Sequence, residues 1–246
     1  MNKLRICLAI LIATFICQWG FAQDEPLRVS ILGDSYSTFQ GYIPEGNAIW
    51  YGTEKPYSRN LENDVTRVDD TWWHQLINHH GLKLEVNESW SGSTICTTGY
   101  RGEEVTHNAY VTRADRLGKP DVILVFGGTN DSWAGSPWGD YKYSDWTPAD
   151  LKQVRPAMCY LFHRLKELYP EALIYNIENT ELNAEYYRTC EVVCRHYGIT
   201  RIRLHHISKQ FGHPSIDGMR HQRASVASDW RTHHRRTSDI TSFIPQ

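Results

Sequence analysis

The sequence predicts an α/β domain built on a parallel sheet. Short apolar runs alternate with stretches of helical periodicity along the chain, the pattern of repeated strand–helix units. One run, Val122 to Phe126, is continuous and mostly β-branched, as a central strand buried on both faces should be. The composition is that of an ordinary globular chain: 246 residues, 41% hydrophobic and 22% charged. Those values exclude a disordered, collagen-like or coiled-coil protein. With 26 Lys and Arg against 28 Asp and Glu, a strongly basic nucleic-acid binder is excluded too.

The first apolar run, Ile6 to Cys17, is too short to span a bilayer. It follows Lys3 and Arg5 and precedes Gly20-Phe21-Ala22-Gln23, the charged, apolar and small-residue order of a cleavable secretory signal. Residues 1–22 are therefore expected to be a signal peptide, and the product to be secreted or periplasmic, with no membrane span in the mature chain. A lipoprotein signal would need a small residue before the modified cysteine, where Ile16 precedes Cys17.

The first strand runs from Leu27 to Leu32 and ends in Gly33-Asp34-Ser35. Residues 40–69 form a long connection carrying Tyr42, Trp50, Tyr51 and Tyr57, expected to lie as an ordered loop over the top of the sheet. A helix from Thr71 to His80, capped by Asp70 and stopped by Gly81, presents Trp73, Leu76 and Ile77 on one face. Leu82 to Val86 alternates as a second strand, and Val122 to Phe126 is the third. Thr147-Pro148-Ala149-Asp150 has the residues of a helix start. Leu151, Val154, Met158, Leu161, Leu165 and Leu168 supply the apolar stripe behind it, with a kink expected at Pro156. Leu173 to Ile177 is the fourth strand, Asn183 and Gly198 bracket another helix, and Ile199 to Leu204 is a polar fifth strand suited to an edge.

Four cysteines remain after the signal: Cys96, Cys159, Cys190 and Cys194. They do not make a disulfide scaffold, and Cys190 and Cys194 read as two small apolar residues on one helix face. Residues 220–246 hold five Arg and three His without a helical apolar stripe. This basic tail is expected to pack loosely. Residues 23–219 are then one domain.

Four blocks fall beyond strand ends, where open α/β sheets place their sites. They are Gly33-Asp34-Ser35-Tyr36-Ser37, Asn87-Glu88-Ser89-Trp90-Ser91-Gly92, Gly127-Gly128-Thr129-Asn130-Asp131 and Gly212-His213-Pro214-Ser215. A serine hydroxyl attacks an ester carbonyl when an imidazole takes its proton. The resulting oxyanion needs preorganised donors, backbone N–H groups or an Asn amide. Ser35, His213 and Asn130 supply those residue types. Asn87-Glu88-Ser89 matches a glycosylation acceptor but coincides with the second block, so it reads as site structure. Twelve histidines invite a metal. No ligand spacing supports one. Trp133, Trp138, Tyr141, Tyr143 and Trp146 suit either packing on the sheet or stacking against sugar rings.

In order and placement these blocks resemble the SGNH hydrolases, the GDSL-type esterases and lipases, over residues 27–219. The resemblance implies a flavodoxin-like three-layer α/β/α domain with a five-stranded parallel sheet in the order 2-1-3-4-5. It implies Ser35 as nucleophile, His213 as base, and an oxyanion hole of the Ser35 and Gly92 N–H groups with the Asn130 amide. No cofactor or metal is implied. Most family members carry an Asp three residues before the His, where this chain has Gln210. Ser208 is not acidic either, and Asp217 suits a first helical turn, so the third triad member is unassigned. The expected function is an exported serine esterase that cleaves acyl esters through an acyl-enzyme, on a small-molecule or carbohydrate ester. The competing expectation is a glycan-binding relative that has lost its chemistry.

Overall fold

The computed structural model describes residues 25–53 and 63–241, with side chains through residue 230. The expected signal peptide and Tyr57 lie outside the described residues. Five parallel strands form the sheet: β1 (Arg28–Gly33), β2 (Lys83–Ser89), β3 (Val122–Phe126), β4 (Leu173–Glu178) and β5 (Thr200–Arg203). Their order is β2-β1-β3-β4-β5, as the resemblance implied.

Alternation along the strands builds two apolar layers. Val122, Leu124 and Phe126 of β3 enter one, and Ile123 and Val125 enter the other. Helices α1 (Trp72–His80) and α6 (Ile216–Thr241) cover the first layer. Helices α2 (Tyr110–Arg113), α4 (Val154–Leu168) and α5 (Ala184–Tyr197) cover the second. The short helix α3 (Thr129–Ala134) follows β3, and the two-residue strands β6 (Lys209–Gln210) and β7 (His213–Pro214) form a separate hairpin.

Register decides where the site falls. Gly33 ends β1 level with Ser89 of β2 and Phe126 of β3. The segments after these three residues therefore leave the sheet side by side, at the point where the strand order reverses.

Three sequence expectations are corrected. Helix α4 begins at Val154, after a 3₁₀ turn at Asp150–Lys152 and an extended Gln153. Pro156 then sits in the first helical turn, where its missing N–H has no partner to lose, so it starts the helix instead of kinking it. Asp70 ends a 3₁₀ turn, and Thr71 occupies the N-cap of α1 without a side-chain cap bond. The third correction is the tail. Residues 220–241 do not trail loosely; they continue α6, which packs on α1. Met219, Val226, Ala227 and Trp230 are buried, and Gln222 is buried among them. The stripe is narrow and interrupted by a polar residue, which hid it from the periodicity. The Trp72 N–H donates to Met219 Sδ at 3.4 Å, and Trp230 stacks on His80.

Elsewhere the expected stops hold. The Asn183 side chain caps α5 by accepting from Glu185 N–H, and Gly81 and Gly198 end α1 and α5 in the left-handed conformation. Trp138, Tyr141, Tyr143 and Trp146 pack against the core. Cys96, Cys159, Cys190 and Cys194 are buried and free.

Candidate active site

Ser35 opens a 3₁₀ turn directly after β1. The Asp34 carboxylate caps that turn, accepting from Tyr36 N–H at 3.0 Å. Asp34 is fully buried, and burial pushes its carboxyl up to about 7. His213 comes from the hairpin 209–214, whose turn residues Phe211 and Gly212 both have positive φ, +52° and +73°. That is the handedness favoured by tight two-residue hairpins. Gly supplies it freely, whereas Phe211 holds it at a cost of about 1–2 kcal/mol.

Across this geometry His213 Nε2 lies 2.8 Å from Ser35 Oγ. The other ring nitrogen, Nδ1, lies 3.1 Å from the Phe211 carbonyl, the carbonyl that the left-handed turn directs back at the ring. A carbonyl only accepts, so Nδ1 carries the proton and Nε2 presents its lone pair to Ser35. Burial pulls the His213 pKa down to about 4, keeping the imidazole neutral.

Tyrosines hold the main chain just before His213 and one peptide beyond it. Tyr36 Oη donates to the Gly212 carbonyl at 2.5 Å, and Tyr51 Oη to the Pro214 carbonyl at 3.0 Å. Burial pushes both phenols up, so they stay protonated donors. The Trp50 indole lies flat on the imidazole, with centroids 3.5 Å apart and planes 12° apart.

Gly92 and Asn130 face the same space. Gly92 has φ +82°, a conformation a side chain would strain. Asn130 sits in the first turn of α3, its amide donating to the Ser93 carbonyl at 2.9 Å and its carbonyl accepting from Tyr100 Oη at 2.9 Å. One amide hydrogen remains for another acceptor. Asp131 is buried behind it and accepts from the Ile95 and Cys96 N–H groups, fixing the segment after Gly92. Burial pushes the Asp131 carboxyl up to about 6.

Buried Arg113 ties the blocks together. It donates to the carbonyls of Glu88 at 2.5 Å, Gly33 at 3.2 Å and Asn108 at 2.8 Å, and to Ser93 Oγ at 3.0 Å. Asn87 of the glycosylation-like triplet is buried as well, donating to the Ser37 carbonyl at 2.9 Å. It is part of the site's framework.

The structure thus brings Ser35, Gly92, Asn130 and His213 around one cleft of about 900 Å³. Trp50, Tyr100, Trp133 and Phe211 also line it. It brings to the ring none of the three residues considered for the third triad place. The Gln210 side chain accepts from Asp64 N–H, Ser208 bonds Ser215, and Asp217 is exposed beside Arg220. Sequence reasoning missed Arg113, Tyr36 and the Trp50 stack. Only the aromatic richness of the 40–69 loop hinted at the last. Among the described residues no group of three His, Cys, Asp or Glu side chains converges as metal ligands.

The five-stranded parallel sheet with a serine and a histidine meeting at its carboxyl edge has the layout of a hydrolase site, and comparison with known proteins gives the family. The model of the GDSL-like lipase/acylhydrolase family matches residues 27–229, and the chain belongs to that family. A GDSL-like protein from Bacteroides uniformis is 53% identical in its crystal structure, with a TM-score of 0.80, covering 83% of this chain and 95% of its own. One from Bacteroides ovatus is 46% identical, with a TM-score of 0.81, covering 84% and 99%. A family two carbohydrate esterase from Clostridium thermocellum, in complex with cellohexaose, shares the fold at 14% identity and a TM-score of 0.53, covering 87% and 66%. No curated protein matches.

Proposed function

We propose that this protein is an exported serine esterase that hydrolyses acyl esters, with short acyl groups on carbohydrate as its substrate class. The observation that carries the reading is the 2.8 Å approach of His213 Nε2 to Ser35 Oγ at the cleft wall. Ser35 Oγ attacks the ester carbonyl while its proton passes to Nε2. The Ser35 and Gly92 N–H groups and the free Asn130 amide hydrogen stabilise the oxyanion. The imidazolium then gives its proton to the departing alkoxide, and a water activated by the same ring releases the acyl group. Among the described residues no carboxylate reaches Nδ1, and the Phe211 carbonyl fixes the tautomer. The catalytic unit is a dyad.

The carbohydrate part rests on rings left open at the cleft. Trp133, Tyr100 and Phe211 are 44%, 41% and 62% exposed, amphipathic or apolar faces available for stacking on a sugar. Gln210 at the position of the usual acid favours one competing reading, a glycan-binding protein without chemistry. The test is hydrolysis of p-nitrophenyl acetate and acetylated oligosaccharides by wild type and Ser35→Ala. Turnover by wild type alone is expected. Equal turnover by both proteins, or by neither, overturns the esterase reading.

A further inference from the structure

When Ser35 attacks, the Oγ–carbon bond forms and the Oγ proton moves to Nε2, so His213 becomes a cation. Among the described residues nothing hydrogen-bonded to it carries the opposite charge. The Phe211 carbonyl supplies only a dipole. Among the described residues the titratable groups around the ring are Lys209 on β6, which disfavours the cation, and the phenols of Tyr36 and Tyr51. The ring is nevertheless enclosed by aromatics. Trp50 is stacked on one face at 3.5 Å, with Tyr36 at 5.0 Å, Tyr51 at 6.3 Å and Trp133 at 6.4 Å between centroids. Of these four rings only Trp50 is parallel to the imidazole.

We propose that Trp50 is a positioning residue whose π-face stabilises the His213 imidazolium in the transition state, taking over part of the role that a carboxylate plays in a triad. The proposal rests on the Ser35–His213 dyad. A tryptophan face is the best aromatic partner for a cation, and the attraction acts within about 6 Å of the ring centroid. It grows as the ring acquires charge, so it favours the transition state over the neutral ground state. The same stack holds the imidazole plane against rotation before attack. Trp50 is itself anchored, its backbone N–H donating to Thr38 Oγ1 at 2.9 Å, one turn beyond Ser35.

The test replaces Trp50 by mono-, di- and tetrafluorotryptophan at that position alone. Fluorine withdraws density from the π-face and changes the shape little, so packing and Tm should hold. The proposal expects kcat/KM on p-nitrophenyl acetate to fall stepwise with fluorine number, by about 2- to 30-fold in all. It also expects the acid limb of the pH profile to move to lower pH, because the same cation is destabilised. A flat series with an unmoved limb means that Trp50 only shields the ring, and overturns the proposal. Labelling with a fluorophosphonate separates this failure from that of the dyad. Label on Ser35 with a flat series removes the Trp50 role alone. No label on Ser35 removes both.

Discussion

Removing the Tyr36 hydroxyl tests how His213 is held. Tyr36→Phe keeps the buried ring and its edge contact with Phe126, and deletes the donor to the Gly212 carbonyl together with the hydroxyl's interaction with Asn179. One lost hydrogen bond of this kind costs about 0.5–1.5 kcal/mol. For a domain of this size that is a Tm decrease of about 2–4 °C per kcal/mol. The kinetic effect should be larger than the thermal one. The hydroxyl fixes the peptide just before His213, and a displacement of about 1 Å at a reacting group costs on the order of 10²-fold in rate. We expect kcat to fall about 10- to 100-fold while KM changes little. Tyr51→Phe should do less, because Asn63 Nδ2 also donates to the Pro214 carbonyl, at 3.1 Å. The double variant should be non-additive, since both hydroxyls position one residue. The assay is steady-state hydrolysis of p-nitrophenyl acetate beside thermal unfolding. An unchanged kcat with a lowered Tm would refute the positioning role and leave Tyr36 a purely structural residue.

Other outcomes follow from the same geometry. Asn130→Ala should lower kcat by about 10²–10³ with little change in KM, as loss of one preorganised donor does; a change confined to KM would assign it to ground-state binding. His213 must be neutral to accept the Ser35 proton, and burial places its pKa at about 4. The kcat/KM profile should therefore lose activity only as pH falls through about 4, and an acid limb at the ordinary histidine value of about 6.5 would contradict this. Asp217→Ala should leave kcat unchanged, because that carboxylate is exposed on the first turn of α6 beside Arg220. Abolished turnover would make it the missing third member.

What the sequence revealed, and what it hid, divides by the range of the interactions involved. β3 was legible because a strand covered on both faces is apolar at every position, and its neighbours aligned the small-residue blocks after Gly33, Ser89 and Phe126. Ser35 and His213 could be named from those blocks, but the partner of Nδ1 could not. It is a backbone carbonyl turned by the φ of Phe211, and a carbonyl leaves no mark on residue identity. Arg113 was invisible for a related reason, since it spends its donors mainly on main-chain carbonyls, two of them, Glu88 and Gly33, far away in sequence. The tail misled because Gln222 interrupts the stripe that Met219, Val226 and Trp230 complete, and α1 supplies the apolar surface it covers.

The central claim is that Ser35 is a nucleophile activated by His213. Fluorophosphonate labelling followed by peptide mapping tests it most directly. The account expects one adduct per chain, on Ser35, absent in Ser35→Ala and strongly slowed in His213→Ala. Labelling that maps to another residue, or that proceeds equally fast without His213, would contradict it.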